Sequence, residues 1–325
     1  MIYKKLDNIA CPASSIVMGT NMFFKQEEEE AYEQLLDSAF AMGVNTFDSA
    51  WCYCNGQSER TLGQWMKNRK NRKEVVVITK CAHPTIDRYR SKPFDILSQF
   101  EDSMARLDTE YIDVFMLHRD EPNTSVGPIM ETMSKLVDEG RILSYGGANW
   151  SSARIEEANR YAAEHGLHPM TSSSVNYGLG KQLQDPWGWN SISLTEEGME
   201  EEREWYRKTQ MPVFAYSSLG IGWFSGAITR KTYDKRHEIT SIWNPWCLKA
   251  YDDESNLMRI DRCEELGEKY HAKIPQIAMA YVLKRKEMNL FALVGAFTSQ
   301  EMKETVEALE IPLTDEEVRY LNLEI

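Results

Sequence analysis

Four side chains able to move or hold a proton stand at the ends of successive apolar runs, or one short loop beyond. They are Asp48 in VNTFDSA (44–50), Tyr53 just past it, Lys80 closing VVVITK (75–80) and His118 closing IDVFMLH (112–118). A phenol ionises near pH 10 in water, and an adjacent ammonium favours the phenolate, so Lys80 is expected to draw Tyr53 toward working pH. Asp48 would hold Lys80 as its counter-ion, because an unpaired ammonium loses its charge on desolvation. His118 would orient a carbonyl oxygen or share its proton. Together the four would polarise a C=O bond or deprotonate an alcohol, with Tyr53 as general acid or base. Singly, each has an ordinary reading: a solvated strand end, a satisfied core histidine, a loop aromatic. Their joint placement argues for a site. Cys52 and Cys54 flank the tyrosine, and a Cys-x-Cys pair can chelate a soft metal if two further ligands are near. Cys81 and His83 match no zinc spacing, so the cysteines read as small apolar side chains lining a pocket, with no metal.

The elements that must position these groups alternate regularly. Eight β-rich runs, at 14–19, 44–50, 75–80, 112–118, 142–149, 171–177, 213–218 and 291–297, are separated by segments of helical period. Tyr32, Leu35, Leu36, Ala39 and Phe40 form one such stripe; Leu97, Phe100, Met104 and Leu107 a second; Ile129, Met133, Leu136 and Val137 a third. Eight β-then-α units predict one (β/α)8 barrel domain over 1–325, with functional groups on the face where strands end. No G-x-G-x-x-G follows a strand, and the glycine pair in SYGGANW lacks the dinucleotide spacing. Two excursions, Gly178–Gly198 and Leu219–Asn256, leave that face carrying Trp187, Trp189, Trp223, Trp243 and Trp246, an aromatic load suited to gating or lining a site.

Composition narrows the function classes. With 37 basic and 50 acidic side chains and a net charge of −13, the 325-residue chain lacks the basic footprint of nucleic-acid binding. No window approaches the roughly 20 apolar residues needed to span a bilayer. A cytoplasmic enzyme is expected, its six scattered cysteines reduced.

With the four residues in hand, the chain resembles the aldo-keto reductase superfamily along nearly its whole length. FDSAWCYCNGQSE resembles that family's Asp-Thr-Ala-x-x-Tyr-Gly-x-Gly-x-Ser-Glu turn, ITK its lysine strand, and YIDVFMLHRDEP its histidine strand. GRILSYGGANWS and VFAYSSLGIGWFSG resemble its Ile-Gly-x-Ser-Asn and Tyr-Ser-Pro-Leu-Gly segments. The resemblance implies an NAD(P)H-dependent oxidoreductase in which Tyr53 is the acid and Asp48, Lys80 and His118 support it. It implies further that Tyr216 stacks on the nicotinamide and Asn149 and Ser174 lie at its carboxamide. Ser217, Leu219 and Gly220 would follow the pyrophosphate, and Thr298 and Ser299, at a helix N-terminus, would meet the adenosine end, beside Glu301 and Thr305.

Departures from the family pattern matter equally. Cys54 replaces a glycine, Ala148 a serine, and Ser174 a common glutamine, so carboxamide binding is expected to be sparser. Glu301 stands where NADP-preferring members carry an arginine, and Thr305 where an asparagine is customary. A carboxylate there would repel a 2′-phosphate and accept from a ribose diol, which suggests NAD. Trp51, Tyr89, Arg90, Trp187 and Trp189 are expected to line a broad aromatic pocket for a small-molecule carbonyl or alcohol, a sugar, ketosugar or polyol before an arylaldehyde. Two rival readings stay open: a Schiff-base barrel enzyme using Lys80, and a non-catalytic nicotinamide-binding regulatory subunit.

Overall fold

The computed structural model describes residues 1–239, 241 and 243–325; Thr240 and Ile242, within the second expected excursion, lie outside the described residues. The chain starts with an antiparallel hairpin, β1 (Tyr3–Leu6) and β2 (Ile9–Ser14), that the apolar pattern does not announce. Of its apolar side chains, Leu6, Ile9 and Ala13 are buried, too few for a clear alternation.

Eight parallel strands then close a barrel: β3 (Ile16–Gly19), β4 (Thr46–Asp48), β5 (Val76–Cys81), β6 (Ile112–Leu117), β7 (Ile142–Ala148), β8 (Ser172–Ser174), β9 (Val213–Ala215) and β10 (Leu290–Val294), with β10 pairing back onto β3. Each falls within or overlaps one of the eight expected runs. Helices α1 (Glu29–Ala41), α2 (Gln57–Arg69), α3 (Pro93–Leu107), α4 (Val126–Asp138), α5 (Ser152–His165) and α6 (Glu200–Thr209) lie between strands in chain order. The second excursion is partly helical: α7 (Asn244–Tyr251) opens with a proline in its first turn, and α8 (Glu254–Tyr270) and α9 (Ile274–Lys284) follow before the last strand. After β10 come α10 (Ser299–Glu307) and α11 (Asp315–Leu321).

The expected helical stripes face the barrel with one shift. On α3 the buried line is Ile96, Phe100, Ser103 and Leu107, while Leu97 is 41% exposed; Leu97 lies one step around the helix, on its solvent side. The SYGGANW glycines serve barrel packing: a Cβ at Gly146 would sit 2.1 Å from the Ser172 carbonyl oxygen, and one at Gly147 would sit 2.6 Å from the Trp150 ring.

Alternation along the strands sets the site. Val17, Val76, Ile78, Val114, Met116, Phe214 and Phe291 fill the barrel interior together with Leu6 and Ile9 of the hairpin, which closes its N-terminal end. Two residues beyond Ile78, Met116 and Phe214 on the same inward-facing rows stand Lys80, His118 and Tyr216. Hydrophobic floor and polar mouth follow from one periodicity.

Candidate active site

Lys80 is buried at the end of β5 with its ammonium 2.6 Å from both carboxylate oxygens of Asp48 and 2.9 Å from the Ser49 carbonyl. The same ammonium lies 3.5 Å from the Tyr53 hydroxyl. The Tyr53 and His118 rings meet edge to face at 5.6 Å. The structure thus brings all four predicted proton-handling residues together at one mouth of the barrel.

The loop that returns Tyr53 over this mouth is tightly bent. Tyr53 donates its backbone N–H to Ala50, and Cys54, Asn55 and Gly56 follow with φ of 51°, 54° and 82°, three left-handed residues in succession. Asparagine and glycine adopt that region readily and cysteine only at a cost, which gives a physical reason for glycine at this point of the family turn. Gly56 also sits against Arg106, whose guanidinium carbon would lie 2.6 Å from an added Cβ. Arg106 in turn donates to the Trp51 carbonyl at 2.8 Å and to the buried Glu59 at 3.1 Å, and Thr79 donates to Glu59 at 2.6 Å. Glu59 is therefore a clamp between α2, β5 and α3 that fixes the Tyr53 loop from behind.

The electrostatics correct one expectation. Burial, reinforced by the Asp48 and Cys52 charges, pushes the Tyr53 phenol well above its ordinary value, so Lys80 does not draw it toward neutrality. The ammonium is engaged by Asp48, whose carboxyl is raised by burial and pulled back by Lys80. Tyr53 is held as a protonated donor. Burial, with the nearby charges of Arg119 and Lys80, drops His118 well below the ordinary histidine range, so its ring is neutral. Burial pushes the Cys52 and Cys54 thiols up to about 11. Their sulfurs turn apart, Cys52 toward His118 Nδ1 at 3.8 Å and Cys54 toward the Asn21 carbonyl at 3.2 Å.

A single cavity of about 670 Å³ runs from this cluster past Ala148, Asn149, Ser174 and Tyr216–Leu219 to Glu301, Glu304 and Thr305. Asn149, at φ 59°, ties the surroundings together: its side-chain oxygen accepts from the Tyr216 hydroxyl at 2.8 Å and from Ile192 N at 3.0 Å, and its amide donates to the His118 carbonyl at 3.3 Å. Ser174 donates to the Phe214 carbonyl at 2.8 Å. Gly220 lies behind the cavity wall, in a turn closed by its N–H to Ser217 O. Thr298 caps α10 by accepting from Glu301 N, and Ser299 bonds Ser38 on α1, so neither side chain joins the wall. Glu301 does line it, and accepts from Phe297 N at 2.7 Å.

The sequence profile of the Aldo/keto reductase family matches residues 15–323. The chain belongs to the aldo/keto reductase family. It is accordingly an oxidoreductase of the class that interconverts carbonyls and alcohols with a nicotinamide cofactor. It is 28% identical over 305 residues to the aldo-keto reductase ausK of Aspergillus calidoustus, covering 90% of this chain and 72% of that one. To an aryl-alcohol dehydrogenase of Pestalotiopsis microspora it is 27% identical over 303 residues, covering 90% and 71%. The fold of a thermostable aldo-keto reductase crystallised with the inhibitor epalrestat superposes with a TM-score of 0.74 at 22% identity, covering 99% of both chains. Among the described residues, no helix is long and apolar enough to cross a membrane.

Of the residues expected around the substrate, Trp187 lines the cavity. Trp51 instead donates its indole N–H to Asp102 on α3 at 2.9 Å and packs against Arg106. Tyr89 and Trp189 meet edge to face at 5.4 Å, outside the cavity wall of the reductase. The aromatic wall is completed by Phe24 and Trp243, with Trp187 and Trp243 at 6.0 Å and Phe24 and Trp243 at 6.3 Å. His83, 4.8 Å from His118 ring to ring, and Arg119 also line the cavity. The sequence holds a signal for Arg119, which directly follows His118 in LHRDEP.

Proposed function

We propose that this chain reduces an aldehyde or ketone carried on a flat ring, with NADH preferred over NADPH and Tyr53 as the proton donor. The observation that carries the reading is the Lys80 ammonium, 2.6 Å from Asp48 and 3.5 Å from the Tyr53 hydroxyl, at the closed end of a long cavity. A reduced nicotinamide, when bound, would supply the hydride for the carbonyl carbon. Tyr53 gives its hydroxyl proton to the carbonyl oxygen, and Lys80 steadies the phenolate left behind. Asp48 pairs with Lys80 and keeps it aimed, and neutral His118 directs the carbonyl oxygen toward Tyr53 by a hydrogen bond. Lys80 is buried and tied to Asp48 and the Ser49 carbonyl as an ammonium, a form with no lone pair for attack on a carbonyl, which argues against a Schiff-base role.

The cavity wall fits a dinucleotide. Tyr216 would lie against the nicotinamide ring, Asn149 and Ser174 near its carboxamide, Ser217 and Leu219 beside the pyrophosphate, and Thr305 at the adenosine end. Asn149 already makes its bonds within the protein, so it takes the carboxamide by exchanging one of them. Among the described residues, the Lys and Arg side chains of the wall, Lys80 and Arg119, are both at the catalytic end, and the adenosine end carries Glu301 and Glu304. That distribution supports NADH.

The aromatic wall of Phe24, Trp187 and Trp243 supports a planar substrate, and the aryl-alcohol dehydrogenase among the relatives favours an aryl carbonyl over the sugar suggested by the sequence. The test is a screen of aryl aldehydes, aldoses and ketoses against NADH and NADPH, followed by nicotinamide absorbance, with Tyr53→Phe as control. Tyr53→Phe should lower kcat by about 10²-fold or more while leaving NADH affinity within about threefold. Full turnover in that variant refutes the proton-donor assignment, and tight NADH binding without oxidation across the screen returns the non-catalytic reading.

A further inference from the structure

Arg119 is 6% exposed, yet among the described residues its side chain has no carboxylate within ion-pair distance. One of its amino groups donates to the His118 carbonyl at 2.9 Å, and its Nε is buried without a partner. Acids close to it in sequence or space are engaged elsewhere. Asp120 pairs with Arg154 at 3.2 Å, Glu121 accepts from Ser91, Asp48 holds Lys80, and Asp185 accepts from Trp187, Gly188 and Ser191.

A buried guanidinium left without a counter-ion costs folding stability, and such costs persist at sites where a ligand supplies the missing charge. The side chain lines the cavity beside the catalytic cluster, and its positive charge bears on Tyr53, His118, His83 and Tyr216. The phosphates of the cofactor, on the reading above, lie toward the other end of the cavity. The missing anion therefore belongs to the substrate.

We propose that Arg119 is a specificity-determining residue that binds a carboxylate on the substrate, so that this reductase acts on carbonyl compounds that are also carboxylic acids. The planar fork of the guanidinium can pair both carboxylate oxygens, which fixes the substrate carbonyl relative to Tyr53 as well as holding the molecule. This rests on the oxidoreductase reading above and sharpens its substrate class.

The experiment compares kcat/KM with NADH for the isomeric carboxybenzaldehydes and for their methyl esters, in wild type, Arg119→Gln and Arg119→Lys. Wild type should favour at least one acid over its ester by about tenfold or more, the effect of one charge-assisted pair. Arg119→Gln should bring that ratio close to one, and Arg119→Lys, which keeps the charge without the fork, should fall between; taking the ratio within each variant cancels any general change in turnover. Equal use of acids and esters by wild type, or an unchanged ratio in Arg119→Gln, overturns the assignment; a lower melting temperature with an unchanged ratio marks a purely structural arginine. If Arg119→Gln does not fold, inhibition of wild type decides. Benzoate should compete with the aldehyde at lower concentration than methyl benzoate, and equal inhibition by the two overturns the proposal. Esters reduced without an acid advantage sink the Arg119 role alone. No turnover of acid or ester with either cofactor sinks the oxidoreductase reading as well.

Discussion

Glu301 offers the most quantitative handle on the cofactor. Its carboxylate lines the end of the cavity proposed for the adenosine and holds Phe297 N at 2.7 Å, in the first turn of α10. Two unit charges about 5 Å apart repel by about 0.8 kcal/mol in fully aqueous surroundings. A 2′-phosphate carries close to two charges, so at this solvent-exposed site the penalty on NADPH is about 1.5 kcal/mol, or roughly tenfold in kcat/KM. Glu301→Gln removes the charge and keeps an oxygen for Phe297 N, so NADPH should gain about tenfold on NADH with the melting temperature unchanged. Glu301→Arg adds a charge-assisted fork to the phosphate, worth about 1.5–3 kcal/mol more, and should move the ratio by about 10²–10³ in total. Initial rates with each cofactor at one aldehyde concentration give the ratio, and repeating them at high salt should compress it, because exposed charges are screened. A wild type that prefers NADPH, or a Glu301→Gln ratio that does not move, refutes the reasoning.

The site supports two further expectations. Cys54→Gly relieves a left-handed cysteine at φ 51° and should stabilise the protein by about 0.5–1 kcal/mol, less the weak sulfur contact to Asn21, without changing turnover; a lower thermal midpoint would sink this. Tyr53, held well above its ordinary 10, stays protonated to high pH, and His118, held well below 6.5, stays neutral to low pH, so kcat/KM for reduction should be flat between pH 6.5 and 10. A loss of rate as pH rises through 7 would contradict the Tyr53 direction, and a gain through the same range the His118 direction.

Lys80 and His118, two of the four proposed proton-handling residues, were legible because strand alternation is a strict geometric rule: the inward rows through Ile78 and Met116 must end in them. That rule stops where the strand stops. β6 ends at Leu117, so alternation could not say that Arg119, one past His118, also turns to the cavity. Loop aromatics were misplaced for a similar reason. Trp51 points where a partner on α3 draws it, 51 residues along the chain in Asp102, and Trp189 follows a loop in which Gly188, Trp189 and Asn190 are all left-handed. The direction of the Tyr53 shift depends on burial and on Asp48 having already engaged Lys80, and neither is a property of residue types in a line. Cys54 shows the reverse case, a departure visible in sequence whose cost became readable only as a dihedral angle.

The N-terminal hairpin adds nothing to the chemistry directly, yet Leu6 and Ile9 plug the barrel on the side away from the cavity, below Ile78 and Met116. Its effect is dielectric. Water held out from underneath cannot screen the Asp48–Lys80 pair, so the field at Tyr53 is set by what enters from above, and the site responds to its occupants more than to the solvent. Removing the first fourteen residues would leave every side chain of the proposed site in the sequence and change the medium through which they act on one another.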